Sequence, residues 1–251
     1  DSIETVIIPP SVTSIGAYAF SMCKNLESIV IPESVTFIDD NAFGGCSSLK
    51  NITIPEAVSV IKRETFSDCQ NLQFINIPQS VTSIEYGAFM NAFGGCENLE
   101  SVSLPDSLEI IDGEAFAVCP FDSINIPRSV KSIACNAFSS SHLYYITVDD
   151  NNPFYYSKNN CLIETNGKTL ILGCRRSVIP DDGSVAIIGD SAFRDADIES
   201  VVIYPFGGVT KVNKRIHERI YKDVVISLGG IFFQILLFFL HLIFQPLLQL
   251  H

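Results

Sequence analysis

The sequence lacks the short motifs by which metal centres and hydrolytic sites are usually recognised. It contains no C-x-x-C, no H-E-x-x-H, and no cysteine with a histidine at metal-ligand spacing. A zinc site is therefore not expected. Histidine is scarce, and its four positions are His142, His217, His241 and His251. Because catalysis needs a nucleophile, a base and an orienting group together, we predict a protein that is not an enzyme and has no cofactor.

The chain is also poor in basic residues, with 16 Lys and Arg against 28 Asp and Glu and a net charge of −12. Up to Ile203 the counts are 11 and 26, giving −15, and the remainder has 5 and 2, giving +3, which together make −12. Because phosphate binding needs a basic face, the acidic part argues against nucleic acid as a partner. The change of sign predicts two chemically different parts.

The first residues contain no Met, no basic n-region and no apolar h-region, so no signal peptide is expected within residues 1–251. Two explanations stay open. A secretion signal has been removed, or the chain is an internal fragment.

A repeat is what the sequence does contain. Residues 26–46 and 49–69 share the form L-x-x-I-x-I-P-x-x-V-x-x-I-x-x-x-A-F-x-x-C. The prolines that end the first half are spaced by 23, 23, 23, 27 and 22 residues, at Pro9, Pro32, Pro55, Pro78, Pro105 and Pro127. A fixed period of this length predicts a β-rich leucine-rich-repeat solenoid with one strand per repeat lining a face.

The Ala-Phe pair of each repeat is predicted to fill the end of the coil. The predicted column of buried, stacked rings consists of Phe20, Phe43, Phe66, Phe116, Phe138 and Phe193. Between Ala88 and Cys96 the pair occurs twice, so one copy should fill the core and the other should bulge outward. A bulged Phe89 is either a contact residue or a neutral insertion.

Cysteines recur three residues after the core phenylalanine, at Cys23, Cys46, Cys69, Cys96 and Cys119. They are interpreted as a ladder of buried thiols, because free cysteine is a small hydrophobe. Bridges between rungs are the alternative, since neighbouring coils lie about 4.8 Å apart.

Residues 149–175 interrupt the repeat. Asn166-Gly167 separates two apolar runs and predicts a β-hairpin island. Cys161 and Cys174 flank this hairpin, and a disulfide between them is a second possibility beside free thiols.

A solenoid offers a long rigid face on which polar residues vary over a constant frame. The candidate binding face consists of the residues that flank the predicted strands: Glu27, Ser28, Lys50, Asn51, Gln73, Phe74, Glu100, Ser101, Asp122 and Ser123. The alternative is that these are ordinary solvated neighbours of the strands.

The unit I-x-I-P-x-S-V-x-x-I-x-x-x-A-F-x-x-C resembles the BspA-type leucine-rich-repeat family over residues 1–203. Members of that family are mostly surface or secreted proteins of host-associated bacteria and some protists. They act in adhesion and protein binding. The resemblance therefore implies a cell-surface or secreted module whose ligand is a protein, such as a host matrix or surface protein.

The repeat fails after Ile203. Residues 204–223 form a basic amphipathic connector, and residues 224–244 contain no Asp, Glu, Lys or Arg. A predominantly apolar segment of 21 residues suffices to span a hydrocarbon core of about 30 Å, which predicts a helical tail and membrane attachment. A buried helix of a larger protein is the alternative.

Residues 204–251 also resemble a fragment of the site-2-type intramembrane metalloproteases. Pro205-Phe206-Gly207-Gly208 and Gly229-Gly230 carry that resemblance, but the catalytic H-E-x-x-H is missing. An alternative reading of the whole chain is thus a fragment or chimeric gene product with an inactive piece of protease. The basic connector favours it, because the positive-inside tendency would keep the repeats in the cytoplasm.

Overall fold

The computed structural model describes residues 4–94 and 102–193, together with the backbone of Lys211–Val212. The regular structure in these residues is β-strand. In chain order the strands are β1 (Thr5–Ile7), β2 (Ser14–Ile15), β3 (Ser28–Val30), β4 (Phe37–Ile38), β5 (Asn51–Thr53), β6 (Val60–Ile61), β7 (Phe74–Asn76), β8 (Ser83–Ile84), β9 (Ile110–Ile111), β10 (Ser123–Ile126), β11 (Ser132–Ile133), β12 (Tyr145–Val148), β13 (Tyr155–Lys158), β14 (Cys161–Glu164), β15 (Thr169–Gly173), β16 (Ile187–Ile188) and β17 (Lys211–Val212).

The first sheet stacks equivalent strands of successive coils in parallel, in the order β1-β3-β5-β7. Thr5 aligns with Ser28, Ser28 with Asn51, and Asn51 with Phe74, so the register advances by one 23-residue repeat per strand. The central residue of each strand points inward, and its two neighbours point outward on β3 and β5. This alternation is what a half-buried strand requires.

The proline after each first-sheet strand closes a turn. Pro32 O accepts the N–H of Val35 at 3.0 Å. The same bond from residue i+3 to the proline recurs at Pro9, Pro55, Pro78, Pro105 and Pro127. Proline donates no ladder hydrogen bond, so the strand ends there and the chain turns towards the next wall.

The next wall is a second set of strands, which corrects the prediction of one strand per repeat. Two-residue strands pair in parallel in the orders β2-β4 and β6-β8-β9-β11. They carry the isoleucine of each V-x-x-I or L-x-x-I unit, and these side chains are buried: Ile15, Ile38, Ile61, Ile84, Ile111 and Ile133. Two residues are too few to show an alternation in sequence.

A stack of phenylalanine rings fills the remaining end of the coils. It runs Phe20, Phe43, Phe66, Phe89, Phe116 and Phe138, with centroids 5.3 to 5.6 Å apart and interplanar angles of 6 to 11°. The prediction that Phe89 bulges outward is wrong, because Phe89 is fully buried in this stack. Phe93 is buried as well, beside Phe89 at 6.0 Å.

The prediction that Phe193 belongs to the stacked column is also wrong, because Phe193 is buried in a different cluster from the ring stack. A Cβ added to Gly173 would lie 1.9 Å from the Phe193 ring, so this ring packs on the backbone at the end of β15. The antiparallel strands that precede it separate Phe193 from Phe138.

The repeated cysteines bridge neighbouring coils by hydrogen bonds. The Cys46 thiol donates to Phe20 O at 3.1 Å, and the Cys69 thiol donates to Phe43 O at 3.3 Å. Every cysteine in the described residues is a free thiol, so those residues contain no disulfide bonds between neighbouring coils. Cys96 lies outside those residues. Burial raises the pKa of Cys46 to about 12 and also raises that of Cys69.

After β12 the chain forms an antiparallel unit in which β14 pairs with β13 and β15, and the turn between β14 and β15 contains Asn166 and Gly167. Its two faces contact different clusters, since Leu162 belongs to the main core and Ile163 to a second cluster. Cys161 and Cys174 are likewise divided between these clusters and are both free thiols.

A buried asparagine joins this unit to the preceding coil. The Asn152 amide donates to Pro127 O at 2.8 Å and Val130 O at 3.1 Å. Its oxygen accepts the N–H groups of Phe154 at 2.8 Å and Tyr155 at 2.9 Å. All four hydrogen-bonding positions of the amide group are thereby used.

The predicted helical tail falls outside the described residues. Across residues 4–94 and 102–193, the structure has no helix with the length and apolarity to cross a membrane. Within the predicted connector, Lys211–Val212 pairs in parallel with Ile187–Ile188 and so extends the sheet of β15 and β16.

Candidate functional site

The residues at the start of the first-sheet strands lie side by side on the outer surface. Ser28, Asn51 and Phe74 occupy one register position. In the column beside them, Lys50 N donates to Glu27 O at 3.0 Å, and Gln73 N donates to Lys50 O at 2.8 Å. The structure therefore brings together six of the ten residues of the candidate face.

One ion pair crosses this surface. Lys50 Nζ lies 2.9 Å from Glu27 Oε2, and the two side chains are 45% and 61% exposed. An exposed pair of this kind contributes about 0–1 kcal/mol, so its main effect is on the charge that a partner meets. The Lys50 charge is largely neutralised by the neighbouring coil.

The other four candidates are divided. Glu100 and Ser101 lie outside the described residues. Asp122 and Ser123 lie at the start of β10, where Asp122 O accepts the N–H groups of Tyr144 at 2.7 Å and Tyr145 at 3.0 Å. Ser123 aligns with Tyr145 in the parallel pair of β10 and β12.

Tyr144 and Tyr145 thus occupy the same repeat position as Glu27 and Ser28, although the sequence prediction omitted them. The guanidinium of Arg175 lies 5.1 Å from the Tyr144 ring centroid, and that of Arg176 lies 5.1 Å from the Tyr145 centroid. The spacing L-x-x-I at 143–146 was a signal that could have identified the tyrosines. Nothing in the repeat identifies the arginines, since they follow the antiparallel unit.

The outer surface of the first sheet also presents apolar side chains that the prediction omitted. Ile7 is 92% exposed, Val30 is 80% exposed and Phe74 is 56% exposed. Val30 lies on β3, which has a paired strand on each side, so its exposure is not an effect of the sheet edge. Exposed large apolar groups on a rigid sheet are typical of protein contact surfaces.

The described residues contain no group of three or more His, Cys, Asp or Glu side chains arranged to hold a metal ion. His142 is exposed in a loop after β11. The buried thiols of Cys46 and Cys161 have pKa values raised to about 12 by burial, so they remain protonated at neutral pH. What the described surface offers is a row of polar, aromatic and apolar contacts.

Comparison with protein families matches the chain to the BspA type leucine-rich-repeat region, with six copies over residues 1–92 and 90–182. No curated protein matches the chain. The comparisons give no support to the resemblance of the tail to site-2-type metalloproteases, nor to the alternative of a chimeric product.

Several solved structures of bacterial proteins are similar to this chain. A leucine-rich cell surface protein from Faecalibacterium prausnitzii is 28% identical, with a TM-score of 0.61, over 84% of this chain and 66% of that one. A leucine-rich repeat protein from Bacteroides ovatus is 28% identical, with a TM-score of 0.53, over 84% of this chain and 63% of that one. The pneumococcal vaccine antigen PcpA shares the fold at 19% identity and a TM-score of 0.53, over 83% of this chain and 46% of that one. The chain therefore spans less than two thirds of each of these proteins.

Proposed function

We propose that this chain, which belongs to the BspA-type leucine-rich-repeat family, is a non-catalytic module that binds a protein ligand in adhesion. The main support for this proposal is the outer surface of the first sheet, where Val30 and Phe74 are exposed. They lie beside the polar column of Glu27, Lys50 and Gln73. Burying such apolar side chains on a partner is favourable by about 25 cal/mol per Å².

The geometry favours a macromolecular ligand over a small molecule. Four strands about 4.8 Å apart make a surface roughly 14 Å across, without the enclosure that small-molecule sites have. A stable protein interface buries about 800 Å² per partner, which is more than these strands alone present. The proposed interface therefore extends along the same repeat position to Asp122, Ser123, Tyr144 and Tyr145.

A location at the cell surface or outside the cell fits this role. One similar structure, from Faecalibacterium prausnitzii, is described as a leucine-rich cell surface protein. The chain is proposed to act in the same setting, with a host matrix or surface protein as ligand.

Two exposed phenylalanines on different walls provide the test. Phe74 is 56% exposed on the first sheet, and Phe37 is 44% exposed on the second. The full chain, its Phe74→Ser variant and its Phe37→Ser variant are compared for binding to a panel of purified host matrix proteins by surface plasmon resonance. We expect Phe74→Ser to weaken binding at least tenfold, because an aromatic anchor is lost.

Phe37→Ser removes a similar exposed ring and should leave the affinity unchanged. Equal loss in both variants, or loss in Phe37→Ser alone, would contradict the proposed face. Failure of the unaltered chain to bind any matrix protein of the panel would contradict the proposed ligand class.

A further inference from the structure

Two tyrosines and two arginines meet at the end of the proposed face. Tyr145 begins β12 and Tyr144 precedes it, whereas Arg175 and Arg176 follow β15, 31 residues later in the chain. Arg175 Nη1 donates to the Tyr144 hydroxyl at 2.5 Å, and Arg176 Nη1 donates to the Tyr145 hydroxyl. The four side chains, named here the Tyr–Arg cluster, are held together by the antiparallel unit.

The rings hold the guanidinium groups in place. Arg176 lies 5.1 Å from the Tyr145 centroid and 5.8 Å from the Tyr144 centroid, and Arg175 lies 5.1 Å from the latter. A guanidinium has five N–H donors, so Arg176 can donate to a ligand while Nη1 bonds to the Tyr145 hydroxyl. A side chain that is already ordered also loses less entropy when a ligand binds.

Arg176 differs in its charge environment from five other cations of the described residues. Lys50, Lys62, Arg63, Lys131 and Lys158 each form an ion pair with a carboxylate. None of the ion pairs in the described part of the chain involves Arg176, which is exposed. Its positive charge is therefore exposed to solvent on a solenoid that is acidic overall.

We propose that the Tyr–Arg cluster recognises adjacent carboxylates of a short acidic segment in the protein ligand, an inference that rests on the proposed function. A carboxylate matches the fork of guanidinium donors, and tyrosine and arginine are the residues that most often dominate interface energetics. A long polyanion is disfavoured, because residues 1–203 carry a net charge of −15 and would repel it. The matching ligand is thus basic overall and contributes its acidic residues at this point alone.

Arg63 provides a matched control. Its guanidinium lies 5.0 Å from the Tyr86 centroid, in the same kind of stack as Arg176. Unlike Arg176, it also pairs with a carboxylate, at 3.3 Å from Glu64 Oε1. Replacing Arg63 therefore changes the net charge and removes a stacked arginine without touching the Tyr–Arg cluster.

Two fluorescein-labelled peptides, KKGEEGKK and KKGQQGKK, are titrated with the full chain at low salt and binding is followed by fluorescence polarisation. General attraction to the acidic solenoid favours the second peptide, because it is more positive. Recognition by the Tyr–Arg cluster favours the first. We expect KKGEEGKK to bind at least tenfold more tightly, Arg176→Gln to remove this preference, and Arg63→Gln to retain it.

Equal or tighter binding of KKGQQGKK would overturn the inference, as would a preference that survives Arg176→Gln. Absence of binding by either peptide at millimolar concentration would also overturn it. If matrix-protein binding still depends on Phe74 in these cases, the proposed function stands and only the assignment of the acidic segment falls.

Discussion

Removal of the buried amide of Asn152 is the perturbation whose effect the structure defines best. Asn152 is 9% exposed and makes four hydrogen bonds, of 2.8, 3.1, 2.8 and 2.9 Å, with backbone groups of the preceding coil and of Phe154 and Tyr155. The Asn152→Ala variant loses all four bonds at once. Pro127 O keeps its bond from Val130 N, whereas the Val130 carbonyl and the N–H groups of Phe154 and Tyr155 then need new partners.

The expected loss in the free energy of unfolding follows from this count. One buried hydrogen bond contributes about 0.5–1.5 kcal/mol net, and each group left unsatisfied in the interior costs about 1–3 kcal/mol. Water entering the vacated space restores part of the loss, so the four bonds do not add fully. We expect Asn152→Ala to destabilise the protein by about 3 kcal/mol, a large effect for a single substitution.

Urea unfolding of the full chain measures this change. The protein has 8 tyrosines and no tryptophan, so tyrosine fluorescence and circular dichroism are suitable probes. Amide exchange at Phe154 and Tyr155 reports the local part of the effect, since a solenoid can open in sections. The neighbouring Asn151 is exposed, and Asn151→Ala is expected to cost under about 1 kcal/mol. Equal midpoints for the two variants would refute the assigned role of Asn152.

Three further predictions concern the coil interior and its backbone. Cys46 should resist iodoacetamide at pH 8 in the native protein, because burial raises its pKa to about 12. The exposed Cys135 should react. Peptide mass mapping that shows both thiols reacting at the same rate would contradict this prediction. The raised pKa of Cys46 also predicts that the free energy of unfolding falls as pH rises above 9, because the Cys46 thiol ionises at a lower pH in the unfolded chain than in the folded protein. Val118 has φ = 59°, so Val118→Gly should raise stability by about 1 kcal/mol, as measured by urea unfolding. Val178→Gly, at an exposed position without positive φ, should lower it, and a gain there would refute the strain argument.

The apolar frame of the solenoid is predictable because each of its positions recurs at a nearly fixed interval. The error at Phe89 arose where Ala-Phe occurs twice, although the distance from Phe66 to Phe89 is again 23 residues. The backbone ladder selects Phe89. Phe66 N donates to Ala88 O and Phe89 N donates to Ala115 O, both at 2.8 Å, whereas Phe93 N bonds to Cys69 O at 3.2 Å. The four extra residues therefore follow the stacked ring.

The Tyr–Arg cluster marks the limit of what a repeat pattern predicts. A period identifies positions that every coil shares, such as the one that Glu27, Lys50 and Gln73 occupy. It carries no information on a contact made once between a coil and an interruption of the coils. Arg176 reaches Tyr145 because the antiparallel strands return the chain to β12, which is a property of the pairing and not of the spacing. The repeat pattern therefore predicts the apolar core positions. The contacts that would distinguish one ligand from another arise at the antiparallel unit, where the repeat is interrupted.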